Sequence, residues 1–150
     1  MREPPDQHDA ELLLRLYDLR REEKLRKARD WFVREFHVES LEESRERFPP
    51  GSQENAYYRM VTSYWEMVAS IVNHGLIREE FFFENTNEIW IVWQRLKPLA
   101  AATRRVYQNP FVWTNMETLC DKFEKWMAKR APDAFETLRK LVVERPPQKK

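Results

Sequence analysis

The side chains that could carry out chemistry in this chain are few and widely spaced. His8, His37 and His74 are the only histidines, and no two of them share a helical turn as zinc sites usually require. No Glu-x-x-His pair occurs, whereas the carboxylate di-metal sites of helical bundles need two such pairs. The sequence therefore predicts no metal site, and His74 is more simply explained as a residue that interacts with the dipole at a helix C-terminus.

The single cysteine, Cys120, falls between Met116 and Phe123 on the apolar side of a predicted helix. A buried, inert thiol is therefore expected there rather than a nucleophile, which needs an accessible, electropositive setting. The chain also lacks a glycine-rich phosphate loop and a Gly-x-Ser-x-Gly elbow. We predict no catalytic residue and no cofactor.

Charge and hydropathy narrow the classes of partner. The 26 basic and 25 acidic residues leave a formal charge of +1, which provides no general field to hold a nucleic acid. The longest apolar run, residues 89–93, is far shorter than the roughly 20 residues that cross a bilayer. With one cysteine and no secretory signal in residues 1–12, the sequence predicts a cytoplasmic protein without a membrane span.

The elements that must position these residues are predicted to be helices. Only two glycines, Gly51 and Gly75, occur in 150 residues, whereas the turns of a multi-stranded sheet usually use many. This length favours one hydrophobic core and hence a single domain, with residues 1–8 and 145–150 flexible. We expect an all-α fold, a compact bundle of five or more helices.

The first predicted helix begins at Ala10, with Asp9 as its N-cap, and continues to Phe36. Its apolar stripe is interrupted in the charged run 20–24, so two shorter helices are the alternative. Ser40 and Glu43 have the spacing of a capping box and predict a second, short helix.

The most apolar helix is predicted over 53–74, with Gly75 as its left-handed C-cap. A short helix over 78–84 follows. Residues 89–107 then keep a helical period although their first five favour strand. Pro98 inside this segment predicts a kink, because its ring clashes with the carbonyl of Gln94.

Two further capping boxes predict the last helices. Thr114 and Glu117 begin one, Asp133 and Glu136 begin the other, and Pro146 with Pro147 ends the chain's helical part.

Aromatic residues are the one compositional excess, at 13% of the chain. Trp90 lies off the row of Ile89 and Trp93, and residues 81–83 cannot all face one direction on a helix, so Phe82 and Trp90 are candidates for an exposed interaction surface, since exposed aromatics often anchor interfaces. We slightly favour the other interpretation, a core rich in aromatic residues that helices cover on both faces.

A second candidate site is a pocket formed by Glu66, Asn73, Trp93, Arg104 and Tyr107. The small residues 100–102 let a neighbouring helix approach closely, and an inward-pointing Arg104 would need an acceptor such as Glu66. The result would be either an anion pocket or a structural network.

The stretch from Trp93 through Lys97-Pro98 to Arg104, Tyr107 and Phe111, which follows the helix end at 73–76, resembles a bacterial all-helical family of domains of unknown function. The resemblance covers about residues 28–127 and contains no catalytic signature. It implies a helical fold, and members of such families often follow a membrane anchor.

Two functions remain open on this basis. The first is a non-catalytic helical interaction or scaffold domain whose partner is another protein or a second copy in a homodimer. The second is a bundle that binds a small ligand or acts as an enzyme at the pocket near Asn73, Trp93, Arg104 and Tyr107.

Overall fold

The computed structural model describes residues 3–142, and it forms a bundle of α-helices without strands in that part of the chain. The predicted all-α fold is therefore confirmed. The helices are α1 (Gln7–Arg20), α2 (Glu23–Glu35), α3 (Leu41–Arg47), α4 (Gln53–Asn73), α5 (Glu79–Asn85), α6 (Glu88–Val106), α7 (Thr114–Arg130) and α8 (Pro132–Val142).

Helix α4 lies at the centre, where it packs against α2, α5, α6 and α7. Its sequence explains this position, because apolar residues cover two neighbouring rows of the helix and can be buried only by neighbours on several sides. The largest buried side chain of α4 is Trp65. The helix ends before His74, and Gly75 follows in the left-handed region with φ +79, as its position in the sequence predicted.

The predicted interaction surface at Phe82 and Trp90 is wrong, because both side chains are buried, with 1% and 0% of their surface exposed. Trp90 contacts Phe123 of α7 and Phe135 of α8, with ring centres 6.4 and 5.7 Å apart. Its indole N–H donates to Glu124 Oε1 at 2.9 Å. The two last helices therefore cover the face of α6 that an isolated helix would expose.

The single long helix predicted over residues 10–36 is also wrong, because the chain turns at Arg21 and Glu22 between α1 and α2. The Glu22 carboxylate accepts from the backbone N–H of Leu25 at 2.9 Å and so caps α2. At the other end, α1 begins at Gln7, inside the segment predicted to be flexible, and its N-cap is Asp6 rather than Asp9. Asp9 instead completes a capping box with Asp6.

The capping box predicted at Thr114 and Glu117 is wrong for a different reason. Trp113 precedes α7 with φ +59, and the Thr114 hydroxyl donates to the carbonyl of Phe111. The cap comes from α4, whose Glu66 carboxylate accepts from the backbone N–H of Met116 at 2.8 Å and from that of Asn115 at 3.3 Å. A side chain distant in sequence thus satisfies the first donors of α7.

The remaining predicted helix boundaries are confirmed in part. Ser40 Oγ accepts from the backbone N–H of Glu43, as predicted for the start of α3, but the Glu43 carboxylate accepts from Glu39 rather than from Ser40. Asp133 lies inside the first turn of α8, so it is not an N-cap. Helix α6 continues through Pro98, and the kink there stays a prediction. The predicted helix end at 146–147 and the tail from 145 lie outside the described residues.

Within residues 3–142, none of the helices combines the length and the apolar character that a bilayer crossing requires.

Candidate binding cleft

A cleft of about 260 Å³ lies between α1, α4 and the segment from α5 to the turn after it. Most of its wall is apolar. The lining residues are Leu13, Leu14, Leu16, Tyr17, Arg20, Tyr64, Trp65, Val68, Phe82, Asn85 and Thr86.

The N-terminal end of α1 is fixed above this cleft by a buried carboxylate. Asp9 is fully buried, and its Oδ1 accepts from the backbone N–H of Arg78 at 2.7 Å while its Oδ2 accepts from that of Asp6 at 2.8 Å. The Arg78 guanidinium lies 3.7 Å from the same carboxylate. Burial by itself raises the pKa of Asp9, but these hydrogen bonds together with the Arg78 charge hold it below its ordinary value.

The C-terminal end of α1 is fixed by Arg29 of α2. Its Nη1 donates to the carbonyl of Arg20 at 3.0 Å, and its Nε and Nη2 form a two-pronged ion pair with Glu88 at 2.7 and 2.9 Å. Both charged side chains are about one fifth exposed, so the pair also joins α2 to the start of α6. Together with Asp9, this contact holds α1 at both ends.

Between these two ends, the middle of α1 meets α4 through Tyr64. The buried Tyr64 hydroxyl donates to the carbonyl of Leu16. Burial raises the pKa of Tyr64 to about 12, so the hydroxyl keeps its proton and its role as donor at neutral pH. Leu16 is the only apolar residue of α1 that is buried, which leaves room beneath the rest of the helix.

Two polar groups in the cleft wall have no polar partner of their own. The indole Nε1 of Trp65 is buried and makes no hydrogen bond within residues 3–142. The guanidinium carbon of Arg20 lies 5.9 Å from the Trp65 ring centre and 4.8 Å from that of Tyr17. Arg20 forms no ion pair with a carboxylate in the described part of the chain. The side chains of Trp65 and Arg20 therefore line the same largely apolar cleft.

The groups that line the cleft can bind a ligand. Its lining contains aromatic, aliphatic, amide and hydroxyl groups and one guanidinium, but none of the eleven side chains is a carboxylate, an imidazole or a thiol. The apolar wall and the donors suit a molecule with a hydrocarbon body and an acceptor or anionic head.

Three of the five residues predicted to form a pocket meet at the start of α7, where they contact protein groups. Glu66 caps this helix, and Asn73 Nδ2 donates to the carbonyl and the side-chain oxygen of Asn115 at 3.0 and 3.1 Å. The acidic partner of Arg104 is Glu117 at 3.1 Å rather than Glu66. The contacts fit the structural network that the sequence offered as one alternative.

The remaining two residues of that set lie apart from this network. Trp93 is 2% exposed and belongs to the core, whereas Tyr107 is 68% exposed at the end of α6. A ligand-binding role for the five residues stays a prediction.

The cleft was not predicted from the sequence. Trp65 lies in an apolar row of α4, a pattern that predicts an ordinary core residue. Arg20 lies in a charged run, a pattern that predicts a solvent-exposed residue. The one available signal was the interruption of the apolar stripe at the same charged run, which marks the turn that places Arg20 over Trp65.

Cys120 is buried, as predicted, and burial raises the pKa of its thiol far above the usual range. Within residues 3–142, no group of three or more His, Cys, Asp or Glu side chains has the arrangement of a metal site.

The fold and the cleft define the class of this protein as an all-helical bundle with an apolar cleft beneath its first helix. Residues 6–126, more than three quarters of the chain, match the family described as "Domain of unknown function (DUF4760)". The chain belongs to that family, and the match reaches further towards the N-terminus than the predicted resemblance over 28–127. No curated protein and no solved structure matches the chain.

Proposed function

We propose that this protein is a non-catalytic binding domain that holds a small amphipathic carboxylic acid in the cleft between α1, α4 and α5. The observation that carries the proposal is that two side chains of the mostly apolar wall have a donor without an acceptor in residues 3–142, namely Trp65 with its indole N–H and Arg20 with its guanidinium. A carboxylate accepts from both kinds of donor, and a hydrocarbon chain is buried by the surrounding leucine and aromatic side chains.

The size of the cleft sets the size of the ligand. At about 30 Å³ for each group of water size, a volume of 260 Å³ holds roughly nine such groups. Octanoate, with an eight-carbon chain, is therefore a suitable probe. For a ligand of this size we expect a Kd on the order of 0.1–1 mM.

The test is a titration of ¹⁵N-labelled protein with octanoate, with octanol and butyrate as comparison ligands. We expect saturable movement of the Trp65 indole N–H signal, which is identified by its loss in Trp65→Phe. Octanol should bind more weakly because it lacks the charge, and butyrate more weakly because each buried methylene contributes about 0.8 kcal/mol.

Two variants locate the charged group of the ligand. Arg20→Leu should weaken octanoate binding about tenfold, in line with a charge-assisted hydrogen bond at a partly exposed site. Arg105→Leu is the matched control, because Arg105 is exposed and does not line the cleft. If octanoate causes no saturable shift, the proposed function is wrong. If octanol and octanoate bind equally and Arg20→Leu changes neither, the assignment of the head group to Arg20 is wrong.

The cytoplasm, where a lone thiol such as Cys120 stays reduced, is the location that we propose for this activity. The protein partner or homodimer expected from the sequence remains a prediction, and light scattering of the same samples with and without octanoate tests it.

A further inference from the structure

A second unusual site lies on α6, where Arg95 is half-buried without a counterion in residues 3–142. Its Nη1 donates to the carbonyl of Val142 at the end of α8, at 2.8 Å. Its Nε is buried and makes no hydrogen bond. Burial lowers the pKa of Arg95, and no carboxylate within residues 3–142 pairs with the guanidinium to offset its desolvation cost.

The groups that face Arg95 add positive charge. His37 lies half-buried in the loop between α2 and α3, and α3 packs against α6. Arg47, in the last turn of α3, donates from Nη1 to the carbonyl of His37 at 2.8 Å. Burial, then the charge of Arg95 and, more weakly, that of Arg47 lower the pKa of His37, whereas a hydrogen bond with the backbone of Arg34 and, more weakly, Glu35 raise it.

We infer that Arg95, His37 and Arg47 form a binding site for an oxyanion, either a phosphate or a carboxylate group. Both groups present paired oxygens that match the geometry of a guanidinium, and an imidazolium beside them adds a second charged donor. An oxyanion here would accept from Arg95 Nε and supply the missing counterion. The site shares no residue with the cleft beneath α1, so it does not depend on the function proposed above.

The experiment is a titration of the full chain with inorganic phosphate and with acetate, followed through the imidazole signals in ¹H–¹³C spectra. Sodium chloride at equal ionic strength controls for screening. The chain has three histidines, so His8 and His74 serve as internal references. We expect phosphate to shift the His37 signals saturably and to raise the pKa of His37, because a bound anion favours the charged imidazole.

Three variants decide the outcome. Arg95→Gln should weaken phosphate binding at least tenfold, and Arg95→Lys, which keeps the charge but loses Nε, should weaken it by less. Arg105→Gln, in the same helix, should leave the affinity unchanged.

Saturable binding to the unmodified chain supports a site for a free anion. Tighter binding of phosphate than of acetate supports a phosphate group as its ligand, and the reverse supports a carboxylate. The inference is overturned if phosphate and acetate both leave the His37 signals of the unmodified chain unmoved. An equal response in the unmodified chain and in folded Arg95→Lys and Arg95→Gln overturns it as well.

Discussion

Helices α1 and α7 both border α4, but they are held there in different ways. Four side chains of α7 are buried along its length, namely Met116, Leu119, Cys120 and Phe123, whereas α1 buries only Asp9 and Leu16. Helix α7 is attached by continuous apolar packing, and α1 by polar contacts at its two ends. Close packing leaves no space for a ligand, while attachment at the ends leaves a cleft beneath the middle. The candidate binding site therefore lies under α1.

The largest difference between the two helices should appear when one apolar side chain is removed from each. Phe123→Ala removes a ring that is 2% exposed and should lower the free energy of unfolding by about 4 kcal/mol. Leu14→Ala changes a side chain of α1 that is 66% exposed, so a loss of at most about 0.5 kcal/mol is expected. Urea denaturation of both variants measures the losses, and equal values would contradict the proposed difference in packing.

The next largest effect should come from the polar cap of α7. Glu66→Ala leaves the backbone N–H groups of Asn115 and Met116 without their acceptor and should cost about 2 kcal/mol. Glu46→Ala, at an exposed position of α3, is the matched control and should change stability little. Amide hydrogen exchange should accelerate at the start of α7 in Glu66→Ala; unchanged exchange there would show that Glu66 does not act as the cap.

The hydrogen bonds of Asp9 at the start of α1 should contribute less to the free energy of unfolding, and their contribution should depend on pH. Asp9→Asn should cost about 1.5 kcal/mol at pH 7, since it weakens hydrogen bonds to a charged acceptor. Because the folded protein lowers the pKa of Asp9, the stabilisation is fully present above the ordinary aspartate value of about 3.9. It is lost as the pH falls through the lowered pKa of the folded state.

Unfolding free energies of Asp9→Asn and the unmodified chain should therefore converge below about pH 4. Glu11→Gln, at an exposed position of the same helix, controls for a general loss of negative charge. A gap between Asp9→Asn and the unmodified chain that stays constant through the acid range would refute the assigned role of the Asp9 carboxylate.

The smallest expected effect concerns the contact in the middle of α1. Tyr64→Phe removes the hydroxyl that donates to the Leu16 carbonyl and should cost about 1 kcal/mol. Tyr107→Phe, at an exposed tyrosine, is the control and should be neutral. Calorimetric melting of the two variants provides the measurement, and a neutral Tyr64→Phe would mean that the end contacts alone hold α1.

Much of the helical fold could be predicted from the sequence, because it depends on local features. The apolar rows of α4, the Gly75 C-cap and the Ser40 N-cap each involve residues within one or two turns of one another. The wrong predictions concern contacts between residues that are distant in the chain. Glu66 caps α7 from 49 positions away, which no spacing rule within a single helix can anticipate.

The cleft escaped prediction for a related reason. An indole N–H lacks a hydrogen bond when no acceptor lies within reach of it. The groups that lie near Trp65 depend on the tertiary structure, and residue spacing does not specify them. Arg20 likewise has the pattern of a solvated residue until the turn at residues 21–22 fixes where its side chain lies.

The sequence by itself determined that this chain forms helices, where most of them end, and that it lacks the standard catalytic and metal-binding motifs, since these properties follow from local periodicity, capping and residue spacing. Only the tertiary structure decided which aromatic residues are buried, which carboxylate pairs with which donor, and where two unpaired donors share an apolar cleft. These features arise from contacts between helices that are distant in the chain, and burial, rather than residue type, sets their hydrogen bonding and their pKa values.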